Sequence, residues 1–338
     1  MIKHLLPVVP KYFKANLHTH STLSDGQFTP AEVKDLYKAQ GYSILAITDH
    51  NVIADHSALN EPDFLMLTGV ESNIANDNYR ETKGFEGKLA HFNLLAKRPD
   101  HLWQPCSTPV KRTNCKPYSD WVTSDNMPQV HDAEHINAII ARCNEMGFLV
   151  TYNHPLWSGH NYKDYKDLKG FWALELANYS SITGGLDEHN AHVYRDLLAL
   201  GNRLYTVAAD DMHTTKALAG AWIMVGAKTL EYGEVIRALE AGEFYSSLGP
   251  QIYSLTVENG VLKVTCSDAK YINVETHARP ARRFVAEEGE ALNFAEYDLQ
   301  SWIEKSAGNP NAYIRVTVTA ADGKYAATRA YWLDEIAE

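Results

Sequence analysis

Cysteine is scarce in this 338-residue chain: there are four, and Cys106, Cys115, Cys143 and Cys266 stand at no Cys-x-x-Cys or zinc-ribbon spacing. That excludes a disulfide-stapled scaffold and a thiolate metal site, and leaves reduced, packed thiols as the expectation. No apolar run approaches the ~18 residues that span a bilayer. Leu5-Leu6-Pro7-Val8-Val9-Pro10 is too short and too broken by proline to be the apolar core of a signal peptide. A cytoplasmic protein without membrane contact is expected. Positive charge is also in deficit, since 31 Lys and Arg against 42 Asp and Glu leave a net −11. This opposes the basic stripe that a grip on long nucleic acid needs to displace counterions. Low-complexity tracts and internal repeats are absent as well. What is there, 45% hydrophobic and 22% charged residues, is an ordinary globular composition with room for a large α/β domain and a smaller companion.

Apolar strand-like runs recur between helical patterns: Ile44 to Thr48, Phe64 to Gly69, Leu89 to Ala96, Phe148 to Tyr152, Trp172 to Leu176, Leu204 to Ala209 and Trp222 to Val225. Such alternation implies a parallel sheet. Thr29-Pro30 reads as an N-cap and first helical residue ahead of Val33, Leu36 and Tyr37, with Gly41 as the stop. Ile136, Ile139, Ile140 and Cys143 repeat the helical spacing before Gly147, and Val235, Ile236 and Leu239 do so before Gly242. The character changes after Gly249-Pro250. Asn259-Gly260 predicts a hairpin between Leu255-Thr256-Val257 and Val261 to Val264, Asp322-Gly323 predicts another, and Glu296 to Lys305 suggests a short helix. The expected division is therefore an α/β domain over 1–250 and a β-rich domain over 251–338. Between them in kind lies the proline-broken stretch 97–130, which reads as a long loop and a candidate lid.

The histidines carry the chemistry. His18-Thr19-His20 follows a strand-like run from Tyr12 to Leu17, and in a strand residues i and i+2 point to one face. Other histidines and carboxylates sit at or just after strand ends: His50, Glu71, His154, Asp211 and His213, with His91 inside its strand. In (β/α) barrels the loops at that end carry catalysis.

Taken in order, these residues resemble the polymerase and histidinol phosphatase (PHP) superfamily of metal-dependent phosphoesterases. His18-Thr19-His20 with Asp25 matches its first motif, Thr48-Asp49-His50 its second, and Glu71 and His91 its strand residues. His154-Pro155 and Asp211-Met212-His213 match the last two. The resemblance spans about residues 12 to 215. It implies a distorted seven-stranded (β/α) TIM-like barrel and two or three divalent ions, with Zn, Mn or Fe suited to imidazole and carboxylate donors. It would place one ion on His18, His20, Glu71 and Asp211, a second on Glu71, His91 and His154, and a third on Asp25, His50 and His213. A metal-activated hydroxide would then attack phosphorus in line, with no protein nucleophile.

Glu71, Asp211 and Asp49 are the candidate catalytic carboxylates. Asp49 adjoins a ligand and would orient a histidine or a water, or else cap the turn. Asp210 replaces the small residue expected before the last motif, and the motif register favours Asp211. Candidate substrate contacts are Arg195 and Lys216 as phosphate clamps and His160 and Lys163 in the loop after His154. Trp157 reads as a base-stacking residue or as packing on its own domain, and Asp187 as a helix cap. The function expected is hydrolysis of a small phosphate ester, a phosphomonoester or nucleotide-like phosphodiester. A nuclease or polymerase-associated module, histidinol phosphate phosphatase and a non-catalytic metal-binding module are the alternatives. For the C-terminal region, covering one side of the barrel and forming a homo-oligomer contact are both open.

Overall fold

The computed structural model of the chain describes residues 2–75, 88–106, 122–278 and 280–336. The fold is mixed α/β and dominated by a 14-stranded sheet. Seven neighbouring strands frame the histidine motifs: β1 (Phe13–Asn16), β2 (Ile44–Ile47), β3 (Leu65–Ala75), β4 (Leu89–Ala96), β5 (Phe148–Tyr152), β6 (Ala173–Asn178) and β7 (Tyr205–Ala209). β1, β2 and β3 pair in parallel, as do β5, β6 and β7. β4 runs against both of its neighbours. This corrects the all-parallel sheet expected from the alternation of strands and helices, because apolar periodicity marks a strand but not its direction. β3 also continues to Ala75, so Glu71 lies within the strand and not beyond its end.

The row curls until its two ends touch. Just past β1 and β7, Thr19 and Met212 form a parallel bridge, with Asp211 N–H donating to the His18 carbonyl (2.9 Å) and His20 N–H to the Met212 carbonyl (3.0 Å). One apolar cluster collects side chains from all seven strands, among them Ala15, Ile44, Leu65, Leu95, Leu149, Ala173 and Val207. It also takes Val235, Ile236 and Leu239 from the helix Tyr232–Glu240. Burying each such branched side chain contributes roughly 1.5–3 kcal/mol. On β2 the alternate residues Leu45 and Ile47 turn the other way, onto Val33 and Tyr37 of the helix Pro30–Ala39. A strand buried on both faces gives the unbroken apolar run seen in sequence. That helix starts as expected, with Thr29 and Glu32 in a reciprocal capping box and Pro30 in its first turn.

Trp222–Val225 pairs antiparallel with β1 and with Phe244–Ser247, which pairs with Tyr325–Thr328. The large sheet therefore continues past residue 250. A second sheet of four strands joins Ile2–His4 to Ile252–Glu258, Val261–Ala269 and Leu292–Asp298, so the first residues of the chain pack with its last third. Asn259 and Gly260 both take positive φ, 50° and 78°, as the predicted two-residue hairpin turn requires. The helix suggested over Glu296 to Lys305 is split, with strand to Asp298 and helix only over Gln300–Ser306. In the stretch 97–130, Trp103–Gln104 pairs with Thr123–Ser124, and residues 107–121, including Cys115 and Trp121, lie outside the described residues. Cys106, Cys143 and Cys266 are buried free thiols. Among the described residues no helix is long and apolar enough to cross a membrane.

Candidate metal centre

β1 delivers His18 and His20 side by side, with their Nε2 atoms 3.3 Å apart, as i and i+2 on an extended segment should be. The closing bridge brings Asp211 against them: its Oδ1 lies 2.9 Å from His20 Nε2 and 3.3 Å from His18 Nε2. β3 places Glu71 at the middle. Its Oε1 lies 3.4 Å from His18 Nε2, 2.9 Å from His91 Nδ1 and 3.1 Å from His154 Nε2. Its Oε2 lies 3.4 Å from His20 Nε2 and 2.9 Å from His50 Nδ1. One buried carboxylate thus faces five imidazoles. At the outer edge Asp25 approaches His213 Nε2 (3.2 Å) and His50 Nε2 (3.6 Å).

All nine residues singled out by the motifs enter groups whose ligand atoms lie within 4.8 Å of one another. The groups are His18, His20 and Asp211; His18, Glu71 and His154; His50, Glu71 and His91; and His20, Asp25, His50 and His213. The grouping differs in detail from the ion-by-ion assignment that the resemblance implies, since His50 joins His91 and His20 joins the outer set.

Electrostatics suits cations here. Burial opposes charge on Glu71, yet His91, His18 and His50 and a hydrogen bond with His154 hold it well below the usual carboxylate range. Asp211 and Asp25 are likewise held low, against burial, by the surrounding imidazoles. Burial also opposes protonation of His154 and His213, but the carboxylates beside them push both up to about 9. Burial brings His20 and His91 down to about 4. The cluster is acidic enough to draw protons onto some imidazoles and leave others neutral, and metal ions would replace those protons. Fit is also visible in the unpaired atoms. Glu71 Oε2, Asp211 Oδ1 and both ring nitrogens of His91 are buried without a well-aligned hydrogen bond, although His50 Nδ1, His20 Nε2 and Glu71 Oε1 lie 2.9 Å from Glu71 Oε2, Asp211 Oδ1 and His91 Nδ1 respectively. Such groups are costly unless something coordinates them. Two of the residues sit on backbone that side chains rarely adopt, His154 at φ 21° and Asp211 at φ 52°, and local strain of this kind collects at functional sites.

Several expected residues lie elsewhere. Asp49 does not face the cluster: its oxygens accept from Ser21 N (2.8 Å), Ser21 Oγ (2.6 Å), Ser24 N (3.1 Å) and Ser24 Oγ (2.6 Å). It shapes the loop between His20 and Asp25 and is spent doing so. Asp210 accepts from the N–H groups of Ala219, Gly220 and Ala221, which leaves Asp211 as the carboxylate at the cluster. None of the four candidate substrate contacts makes a described hydrogen bond or ion pair with a cluster residue. Both ring nitrogens of His160 are engaged, one with Tyr152 and one with His131. Arg195 is exposed and donates to the Ala278 carbonyl (3.3 Å), and Lys163 and Lys216 are exposed. Asp187 caps no helix, because the helix begins at Ala191 behind Asn190.

Sequence reasoning missed the supports. Glu175 of β6 is fully buried; Oε1 accepts from His18 Nδ1 (2.8 Å), and Oε2 accepts from His154 N–H (3.0 Å) and Asn178 Nδ2 (2.9 Å). Asn178 also donates to Asp211 Oδ2 (3.0 Å), and Asn153 to Glu71 Oε1 (2.9 Å). A charged residue inside the apolar run Ala173–Asn178 was the available signal.

Gly26 turns the loop back on itself, and a Cβ there would lie 2.5 Å from the backbone carbon and oxygen of His20. Gly26→Ala is expected to cost roughly 1–3 kcal/mol through this overpacking and to pull Asp25 from His213. Thermal melts and elemental analysis check it, and unchanged stability with full metal content would refute the close approach.

No protein-family profile matches the chain. It is 42% identical over 62 residues to a 5'-3' exoribonuclease of Haemophilus influenzae, a match covering 17% of this chain and 23% of that protein. Among solved structures it is similar to a two-domain protein containing a predicted PHP-like metal-dependent phosphoesterase from Bacteroides vulgatus, at 16% identity and a TM-score of 0.44, over 97% of this chain and 98% of the other. It is also similar to the lesion-specific endonuclease PfuEndoQ from Pyrococcus furiosus, at 14% identity and a TM-score of 0.43, over 96% of this chain and 71% of the other. These likenesses are remote.

Proposed function

We propose that this chain is a metal-dependent hydrolase of small phosphate esters, of PHP type, built on a distorted seven-stranded barrel that closes between Thr19 and Met212. The observation that carries this is the convergence of nine ligand-type residues from separate segments, with the buried Glu71 carboxylate among them and facing five of the imidazoles. When bound, two or three Zn, Mn or Fe ions would supply an activated water and neutralise phosphoryl oxygens. The chain's own part is to hold the donors. Glu71 would be shared between ions, His18, His20 and Asp211 would grip one side, His91 and His154 the back, and Asp25, His50 and His213 the open edge. Asn153 and Asn178 fix the two inner carboxylates by donating to them.

A nuclease is the second reading, and the 62-residue match to an exoribonuclease favours it. The net charge of −11 speaks against a long polyanion while leaving one compact phosphate free to reach a metal cluster. Reconstitution with Mn, Zn and Fe is expected to give about two or three ions per chain, and less than one would end the proposal. Mononucleotides, sugar phosphates and histidinol phosphate, tested beside labelled single strands at low salt, then separate the readings. Small esters should be cleaved and strands spared. Strand degradation with every small ester untouched would favour the nuclease.

A further inference from the structure

Trp157 follows the His154-Pro155 motif, and its ring centroid lies 4.9 Å from that of His154 and 5.2 Å from that of His91. It is nevertheless 48% exposed. One side of the indole is seated on two of the cluster histidines and the rest meets solvent. A half-exposed tryptophan on a loop forgoes much of its apolar burial. The loop beneath it is clamped. Leu156 and Trp157 N–H both donate to the buried Glu188 carboxylate, at 3.0 and 2.7 Å. Ser158 N–H donates to the His154 carbonyl (3.1 Å), and His160 N–H to the Pro155 carbonyl (2.9 Å). The ring is therefore held in place before any substrate arrives, which is how a binding surface saves ordering entropy.

Arg195 donates to the Ala278 carbonyl, and Lys163 and Lys216 are exposed; none of the three makes a described contact with a cluster residue, whereas the indole does. We propose that Trp157 is the platform on which a flat aromatic part of the substrate stacks. The ester taken by this site is then a nucleotide and not an alkyl or simple sugar phosphate. This rests on the phosphoesterase reading above and narrows its substrate. Stacking on an indole tolerates any base, because every base presents a π face. A phosphate on the cluster and a base on Trp157 would be neighbours, since the indole touches the ligand rings themselves.

The test compares adenosine 5'-monophosphate with ribose 5-phosphate, which differ by the base, on the metal-loaded full chain, on Trp157→Ala and on Trp157→Phe. Trp157→Ala is expected to raise KM for the nucleotide about 10- to 100-fold, and Trp157→Phe less than about fivefold. The readout is the ratio of the two KM values at matched metal content, which cancels any change that Trp157→Ala makes to the ligand rings it touches. Equal losses on both esters would make Trp157 a structural roof and overturn the proposal, as would an unchanged KM for the nucleotide. If the wild type cleaves neither ester, calorimetric binding of the same pair gives the separate reading. Base-dependent binding lost in Trp157→Ala would uphold the platform while the hydrolase reading falls. Equal or undetectable binding of both ligands would overturn the platform too.

Discussion

Glu71→Gln is expected to lower turnover by on the order of 10³-fold or more, beyond the loss typical of one electrostatic stabiliser, and to strip metal from the protein. Five imidazoles face this carboxylate at 2.9 to 3.4 Å. A glutamine keeps the shape but carries no charge, and its amide N–H2 would point a donor at ring nitrogens that must remain free lone pairs to ligate. Each ion sharing Glu71 would lose a ligand at once. Asp25→Asn is the matched control, because Asp25 lies at the open edge with its side chain 25% exposed and approaches three histidines, His213, His50 and His20, at 3.2 to 3.7 Å. Its loss should be smaller, about 10- to 100-fold. Elemental analysis and steady-state rates on both variants check this. Small, equal losses with metal retained would remove Glu71 from the hub.

Glu175→Gln is expected to weaken metal binding about 10- to 100-fold, as loss of a group that orients a ligand typically does, although Glu175 is in none of the four ligand groups. Three donors point at its two oxygens: His18 Nδ1, His154 N–H and Asn178 Nδ2. A carboxylate accepts from all of them, but an amide has one acceptor end. If the amide oxygen keeps His154 and Asn178, its nitrogen faces His18 Nδ1 and forces that atom to accept. The His18 proton then moves to Nε2, the atom turned toward Glu71 and Asp211, and blocks it as a ligand. Competition with a chelator measures the affinity, and nitrogen chemical shifts of His18 report the tautomer. Unchanged affinity with the proton still on Nδ1 would show that Glu175 only fills space.

Why one carboxylate was legible and the other was not follows from where each sits. His18, His20, His50, His154 and His213 lie next to strand ends in short local patterns, and extended backbone converts such spacing directly into shared direction. Glu71 could be read the same way, although the end of its strand was misplaced. Glu175 has no local partner. It meets His18 across 157 positions of sequence, and nothing in the run around it names that contact. Asp49 shows the reverse, since its adjacency to His50 leaves both a ligand-orienting role and a turn cap open, and its oxygens turn to the Ser21 and Ser24 loop. Adjacent residues on a strand point to opposite faces, so the neighbour of a ligand is well placed to look away from it.

By itself the sequence determined the ligand types, their order, the α/β alternation and the hairpin-rich C-terminal region, because these depend on residue chemistry and on periods of two to four residues. It also marked the helix beginning at Thr29-Pro30 and the turn at Asn259-Gly260, where one residue's φ decides the outcome. Only the tertiary structure decided that β4 runs backward. The 13 residues between Ala75 and Leu89 suit a crossover as well as a return, and direction is settled by which neighbour the strand pairs with. It alone brought Thr19 to Met212, since that closure depends on the twist accumulated over seven strands. The same closure, which no stretch of sequence contains, sets Asp211 against His18 and His20 and turns scattered motifs into one site.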